Sequence, residues 1–360
     1  MDRLIEAIEA KDNPSIVGLD PTQALVPPQA FTMEIEFDEK DLEAFIKGLR
    51  SSNSPEDQRV LASIDNADGM EAKTKAAKDA LEQADPGAEI IEGFYEFNCA
   101  IIDAVKDIVP AVKPQIAMYE AYGPIGFDIY RLTCEYAQKQ GLYVLGDIKR
   151  GDIGSTAAAY AKHLTGVNSL KDDCNGQPWS EDAVTVNPYF GTDGITPFTD
   201  AAKQTDKDVF ALVRTSNPSS KEIQELELAN GDKLYEHVAD LVEGWGADSI
   251  GKYGYSRLGA VVGATHPEQG SQLRERMPHT FFLVPGYGAQ GGTAADVAGM
   301  FDSRGSGAIV NSSRGIIGAW KKSGEYSENM TKEEALDLVA RSAQAAAIAM
   351  RDDLRKALLS

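Results

Sequence analysis

The stretch of this 360-residue chain best equipped for chemistry is Val144-Leu145-Gly146-Asp147-Ile148-Lys149-Arg150-Gly151-Asp152-Ile153-Gly154-Ser155-Thr156. The apolar run Leu142 to Leu145 reads as a buried strand, and strand alternation sets Asp147 and Lys149 on one face at its C-terminal end, with Arg150 on the other. Gly151 and Gly154 mark a tight connection, and Thr156 opens an alanine-rich helix, Ala157 to Lys162. Opposite charges this close hold each other ionised where a neutral residue would ordinarily sit. A lone Asp-x-Lys is usually a structural ion pair. The whole string Asp-x-Lys-Arg-x-Asp-Ile-x-x-Thr is too long and too charged to be explained by packing.

A second constellation lies near the C-terminus. Pro285-Gly286-Tyr287-Gly288-Ala289-Gln290-Gly291-Gly292 follows an apolar strand, and glycines at that density let backbone N–H groups approach an anion. Ser312-Ser313-Arg314-Gly315 follows the next strand and adds a guanidinium suited to bidentate phosphate contact. The pair of loops reads as a phosphate cradle.

Both strings resemble signatures of the orotidine 5'-phosphate decarboxylase family, and Val112-Lys113-Pro114-Gln115 and Asn187-Pro188-Tyr189-Phe190-Gly191 are similar to its longer bacterial branch. The resemblance runs from Asp20 to Arg314 and omits a polar stretch near the start. It implies a Lys-Asp-Lys-Asp network of Lys113, Asp147, Lys149 and Asp152, with Asp152 reaching into the neighbouring subunit's site of a homodimer and Thr156 close to the substrate there. It also implies Asp20 on the ribose hydroxyls, Ser216 on the pyrimidine amide, and Gln290 and Arg314 on the phosphate. Gly286, Gly288 and Ser313 belong to the same cradle.

The implied reaction is conversion of orotidine 5'-phosphate to uridine 5'-phosphate and carbon dioxide in pyrimidine biosynthesis, with no metal and no organic cofactor. Direct decarboxylation leaves a carbanion at C6, so the site must stabilise that charge itself. An ammonium that attracts the charge and delivers a proton is the role expected of Lys149.

Positioning these residues requires a scaffold that gathers strand ends. Short apolar runs at Ser15 to Asp20, Ile108 to Gln115, Leu142 to Leu145, Ala183 to Asn187, Asp208 to Arg214, Leu258 to Gly263, Phe281 to Pro285 and Gly307 to Asn311 read as eight strands. Helical stretches such as Phe94 to Lys106 and Phe127 to Lys139 alternate with them, and Thr331 with Glu334 is a capping box opening a long closing helix to Leu359. The pattern predicts an α/β fold, a (β/α)8 TIM barrel, as one domain over residues 1–360. Asp20, Lys113, Asp147 with Lys149, Asn187, Thr215 with Ser216, Gly286 and Arg314 all fall at C-terminal strand ends, where such barrels build active sites. Pro27 to Pro86 is polar with helical fragments and reads as an insertion after the first strand; a small independent helical domain is the alternative.

Composition narrows the partners. With 35 Lys and Arg against 56 Asp and Glu, the formal charge of -21 argues against nucleic acid or an anionic membrane surface. Cys99, Cys134 and Cys174 show neither disulfide-framework nor zinc spacing, which fits a reducing cytoplasm. Met1 to Glu9 reads as an acidic amphipathic helix, and no run approaches membrane-spanning length. The four histidines have no ligand spacing and the three tryptophans form no stacking array. Two rivals remain: a magnesium-dependent sugar-phosphate enzyme on the same barrel, which would carry an acidic residue where Lys113 stands, and a non-catalytic nucleotide-binding barrel.

Overall fold

Eight parallel strands close into a ring in chain order: β1 (Ser15–Leu19), β2 (Ala111–Pro114), β3 (Tyr143–Arg150), β4 (Ala183–Val186), β5 (Asp208–Arg214), β6 (Leu258–Val262), β7 (Phe282–Pro285) and β8 (Ala308–Ser312), with β8 pairing back onto β1. The computed structural model describes residues 1–31, 38–84, 87–168, 175–176 and 178–359. Cys174 and the Pro86 end of the expected insertion lie outside the described residues.

Strands buried on both faces read as continuous apolar runs, which is why the sequence reveals them so plainly. Their alternation sorts the core into two layers. Ile16, Ala111, Leu145, Ala183, Phe210, Leu283 and Ile309 point into the barrel, where they meet Leu4 and Ile5 of the N-terminal helix Asp2–Lys11. Val17, Val112, Val144, Val184, Val209, Ala260 and Val284 belong to the second layer, packed with the outer helices. Among those are Ala88–Val105, Gly123–Lys139 and the closing helix Lys332–Leu358, which opens on the expected Thr331 and Glu334 capping box.

Several boundaries move. β2 begins at Ala111 because Ile108 and Val109 still donate to Val105, completing the turn that ends the preceding helix. β3 runs on past Leu145 to Arg150, and its ladder with β4 slips between Gly146 and Arg150. The following helix spans Gly154–Tyr160, so Thr156 lies inside it; Lys162 starts a separate short helix, Lys162–Thr165. Between β1 and Ala88, helices Glu39–Ser51, Pro55–Asp65 and Gly69–Ala84 pack on one another around Leu42, Leu49, Ile64 and Ala77, a small core distinct from the two barrel layers.

Candidate active site

A cavity of about 470 Å³ opens at the C-terminal rim, and residues at or near the end of every barrel strand contribute to its wall. Its floor is the β3 motif. Asp147 is 6% exposed, so its carboxylate must be satisfied by protein. Lys113 Nζ lies 2.7 Å from Oδ2, and Gln115 Nε2 donates to the same oxygen at 2.9 Å. Lys149 Nζ lies 2.5 Å from Oδ1, which also accepts from Thr185 Oγ1 at 2.9 Å. Burial opposes ionisation of Asp147, but Lys113 and Lys149 overcome it and hold the carboxyl below its ordinary range. Burial likewise opposes the charge on Lys113, and Asp147 and Asp20 more than offset it, raising its pKa.

The two lysines are not equivalent. Lys113 is 5% exposed in its side chain whereas Lys149 is 45% exposed, so Lys149 is the ammonium open to a ligand. Its backbone sits at φ 45°, a left-handed conformation uncommon outside glycine, at the slip in the β3–β4 ladder. The Thr185 hydroxyl accepts from the Lys149 backbone N–H at 2.9 Å and anchors it. The Asp147 and Lys149 pairing expected from alternation is therefore made across a bulge and not along a regular strand.

The rest of the wall supplies ligand contacts. Asp20 Oδ1, 3.9 Å from Lys113 Nζ, is buried without a hydrogen-bond partner among the described residues, as is Asn311 Oδ1. Both residues line the cavity. After β7, Gly286, Gly288 and Gly291 all hold positive φ, shaping a loop closed by Gly288 N–H to the Gly292 carbonyl and Gly292 N–H to the Gly286 carbonyl. A side chain at Gly286 would touch Ser216 and Gln290 at 3.3 and 3.5 Å, so those two groups flank the loop together. Ser313 and Arg314 enter from the end of β8, the position where this barrel architecture holds phosphate.

The model of the orotidine 5'-phosphate decarboxylase / HUMPS family matches residues 42–328. The chain belongs to this family. It is 41% identical over 286 residues to the orotidine 5'-phosphate decarboxylase of Rhodopirellula baltica, covering 79% of this chain and 91% of that one. It is 45% identical over 241 residues to that of Clostridium botulinum strain Langeland, covering 67% and 80%. Among solved structures, a Toxoplasma gondii chain superposes with TM-score 0.68 at 25% identity, covering 99% of this chain and 95% of that one. The OMP decarboxylase of Leishmania donovani gives 0.62 at 23%, covering 100% and 98%, a likeness of fold.

Of the residues that the decarboxylase signature nominates, Asp20, Lys113, Asp147, Lys149, Ser216, Gly286, Gln290, Ser313 and Arg314 line the one cavity. Gly288 shapes the loop above it, near the Ser312 hydroxyl. Asp152 and Thr156 are not in the cavity wall of their own chain; the Asp152 carboxylate accepts from the Ile153 N–H, and Thr156 is exposed. Gln115, Thr185 and Asn311 join the site without having been singled out. Among the described residues no cluster of three or more His, Cys, Asp and Glu could hold a metal ion, and no helix is long and apolar enough to cross a membrane.

Proposed function

We infer that the chain converts orotidine 5'-phosphate to uridine 5'-phosphate and carbon dioxide, as a carboxy-lyase of pyrimidine biosynthesis that uses neither metal nor organic cofactor. The observation that carries this reading is the Lys113–Asp147–Lys149 chain, with its carboxylate locked from both sides and its outer ammonium far the more exposed of the two. As the C6–carboxyl bond breaks, the electron pair stays on C6 and carbon dioxide departs. Lys149 stabilises that pair and transfers a proton to C6, leaving a neutral amine that regains its proton from solvent. Asp147, fixed beside the departing carboxylate, is relieved of like-charge repulsion when carbon dioxide leaves.

Proton transfer contributes about 10²- to 10⁴-fold, and difficult reactions need far more. The remainder comes from remote binding: Asp20 on the ribose, Ser216 on the pyrimidine amide, and Gln290, Ser313, Arg314 and the Gly286–Gly288 backbone on the phosphate, a grip that drives loop closure.

Asp152, with Thr156, acts in the neighbouring site of a homodimer. The surface around it supports this: Ile153 is 52%, Tyr189 82% and Phe190 48% exposed, and Phe190 packs beside Gly151 and Gly194 next to the Asp152 backbone. A second copy would cover these apolar groups. We read residues 1–360 as one barrel domain carrying 27–86 as an insertion, working in the cytoplasm.

The ultraviolet band of orotidine 5'-phosphate tests the reaction directly. Purified protein should abolish it, with EDTA having no effect and Lys149→Ala leaving it intact. A persistent band with dimeric wild-type protein refutes the reading, and turnover of sugar phosphates with magnesium would then favour the sugar-phosphate branch of the fold.

A further inference from the structure

Arg214, the last residue of β5, is wholly buried, yet it does not line the cavity. A buried guanidinium is retained where its donors are used. Here Nε donates to Gln269 Oε1 at 2.6 Å and Nη2 to Glu225 Oε1 at 2.5 Å. Nη1 donates to Gln224 Oε1 at 3.1 Å and to the Ser220 hydroxyl, and the plane rests 5.6 Å from the Tyr235 ring centre. All these partners except Gln269 come from the chain that follows β5, so the arginine organises that segment.

Gln224 passes this order to the cavity wall. Its Oε1, already held by Arg214, accepts from the Thr215 N–H at 3.0 Å, and its Nε2 donates to Thr215 Oγ1 at 2.8 Å. Thr215 Oγ1 in turn donates to Asn217 Oδ1 at 2.7 Å. From the other side, Thr265 Oγ1 donates to the Ser216 carbonyl at 3.1 Å. Gly263 lies so close that a Cβ would come within 2.8 Å of the Ser216 backbone. Thr215, Ser216 and Asn217 all line the cavity, and their backbone is pinned there from two directions.

We propose that Arg214 and Gln224 are positioning residues for the base end of the nucleotide, acting through Thr215 to hold Ser216 and Asn217 in register with the pyrimidine. This rests on the reading that puts the base at Ser216. The hydrogen bonds of Arg214 and Gln224 go to neither the phosphate cradle nor the lysines, so the effect should fall chiefly on ligands that carry a base.

The test compares binding of uridine 5'-phosphate and ribose 5-phosphate by calorimetry to wild type, Gln224→Leu and Gln224→Glu. Loss of the relay in Gln224→Leu should weaken uridine 5'-phosphate about tenfold, one to two neutral hydrogen bonds in effect, with ribose 5-phosphate unchanged within about twofold. Gln224→Glu keeps the acceptor toward Thr215 and Arg214 and should recover most of the loss. Ser220→Ala, which removes one acceptor of Arg214 with little change in packing, should shift the same way more weakly and stands in if Gln224→Leu does not fold. Equal loss for both ligands, or no loss for either, overturns the relay. Wild type binding both ligands equally would instead overturn the placement of the base at Ser216, and the relay's role with it.

Discussion

Replacing Thr185 with valine keeps the shape of a buried side chain and removes the hydroxyl that joins Asp147 to Lys149. Two hydrogen bonds go: the donor to Asp147 Oδ1 at 2.9 Å and the acceptor for the Lys149 N–H at 2.9 Å. The first serves a charged acceptor and is worth about 1.5–3 kcal/mol; the second is neutral, about 0.5–1.5 kcal/mol. Folding stability should therefore fall by about 2–4 kcal/mol. Catalysis should suffer separately. A non-glycine residue at positive φ carries strain of about 1–3 kcal/mol and keeps that conformation only while its neighbours enforce it. Freed of Thr185, Lys149 can relax, and a displacement near 1 Å costs on the order of 10²-fold in rate. The phosphate and ribose contacts are elsewhere, so KM should hold within about threefold while kcat falls about 10²-fold. Urea denaturation gives the stability, and loss of the orotidine 5'-phosphate absorbance band gives the kinetics. A variant destabilised as stated but turning over within about twofold of wild type would show that Thr185 holds the barrel and not the ammonium.

Arg314→Ala should lower turnover as well as affinity, because phosphate gripping is spent on assembling the charged site; unchanged kcat with raised KM would mean uniform binding. Mixing inactive Lys149→Ala with inactive Asp152→Ala should restore part of the activity, since a mixed dimer rebuilds one intact site, and no recovery after subunit exchange would place Asp152 outside the neighbouring site. Asp147 is held below its ordinary pKa, so its contribution to stability is complete above the unfolded value of about 3.9 and is lost as pH falls through the folded value. Lys113 is raised, so its share is complete below about 10.4 and is lost as pH rises through its folded value. Denaturation across this range should show a plateau between those limits, and an acid limb unchanged in Asp147→Asn would assign it to other carboxylates.

The residues that sequence reveals here are those that break a rule of burial. Lys113 in Ala111-Val112-Lys113-Pro114 and Asp147 beyond Val144-Leu145 are charges in apolar strands, conspicuous because such positions demand a partner. Thr185 breaks no such rule. In Ala183-Val184-Thr185-Val186 a threonine is an ordinary β-former, and only its place on the same face as Asn187, near a strand end, hints at an inward role. Gln115 was in view beside Lys113 and carried no charge to mark it. The bulge was hidden for a different reason: period-two alternation paired Asp147 with Lys149 correctly, yet the positive φ at Lys149 arises from the slip against β4, which no local residue signals.

Arg214 shows the same limit from the opposite side. It closes the apolar run Asp208 to Arg214, and nothing beside it in the sequence marks it as buried. Its complete burial depends on Ser220, Gln224, Glu225 and Gln269, partners up to 55 residues away that the fold alone assembles. Charge placement within strands is thus a local property that hydropathy exposes. The neutral hydrogen bonds that aim those charges are tertiary: Thr185 reaches Asp147 across 38 residues, and Gln115 across 32. Losing the neutral groups should leave the charges bound but misaimed, which is why Thr185→Val is expected in kcat and Gln224→Leu in affinity for the base.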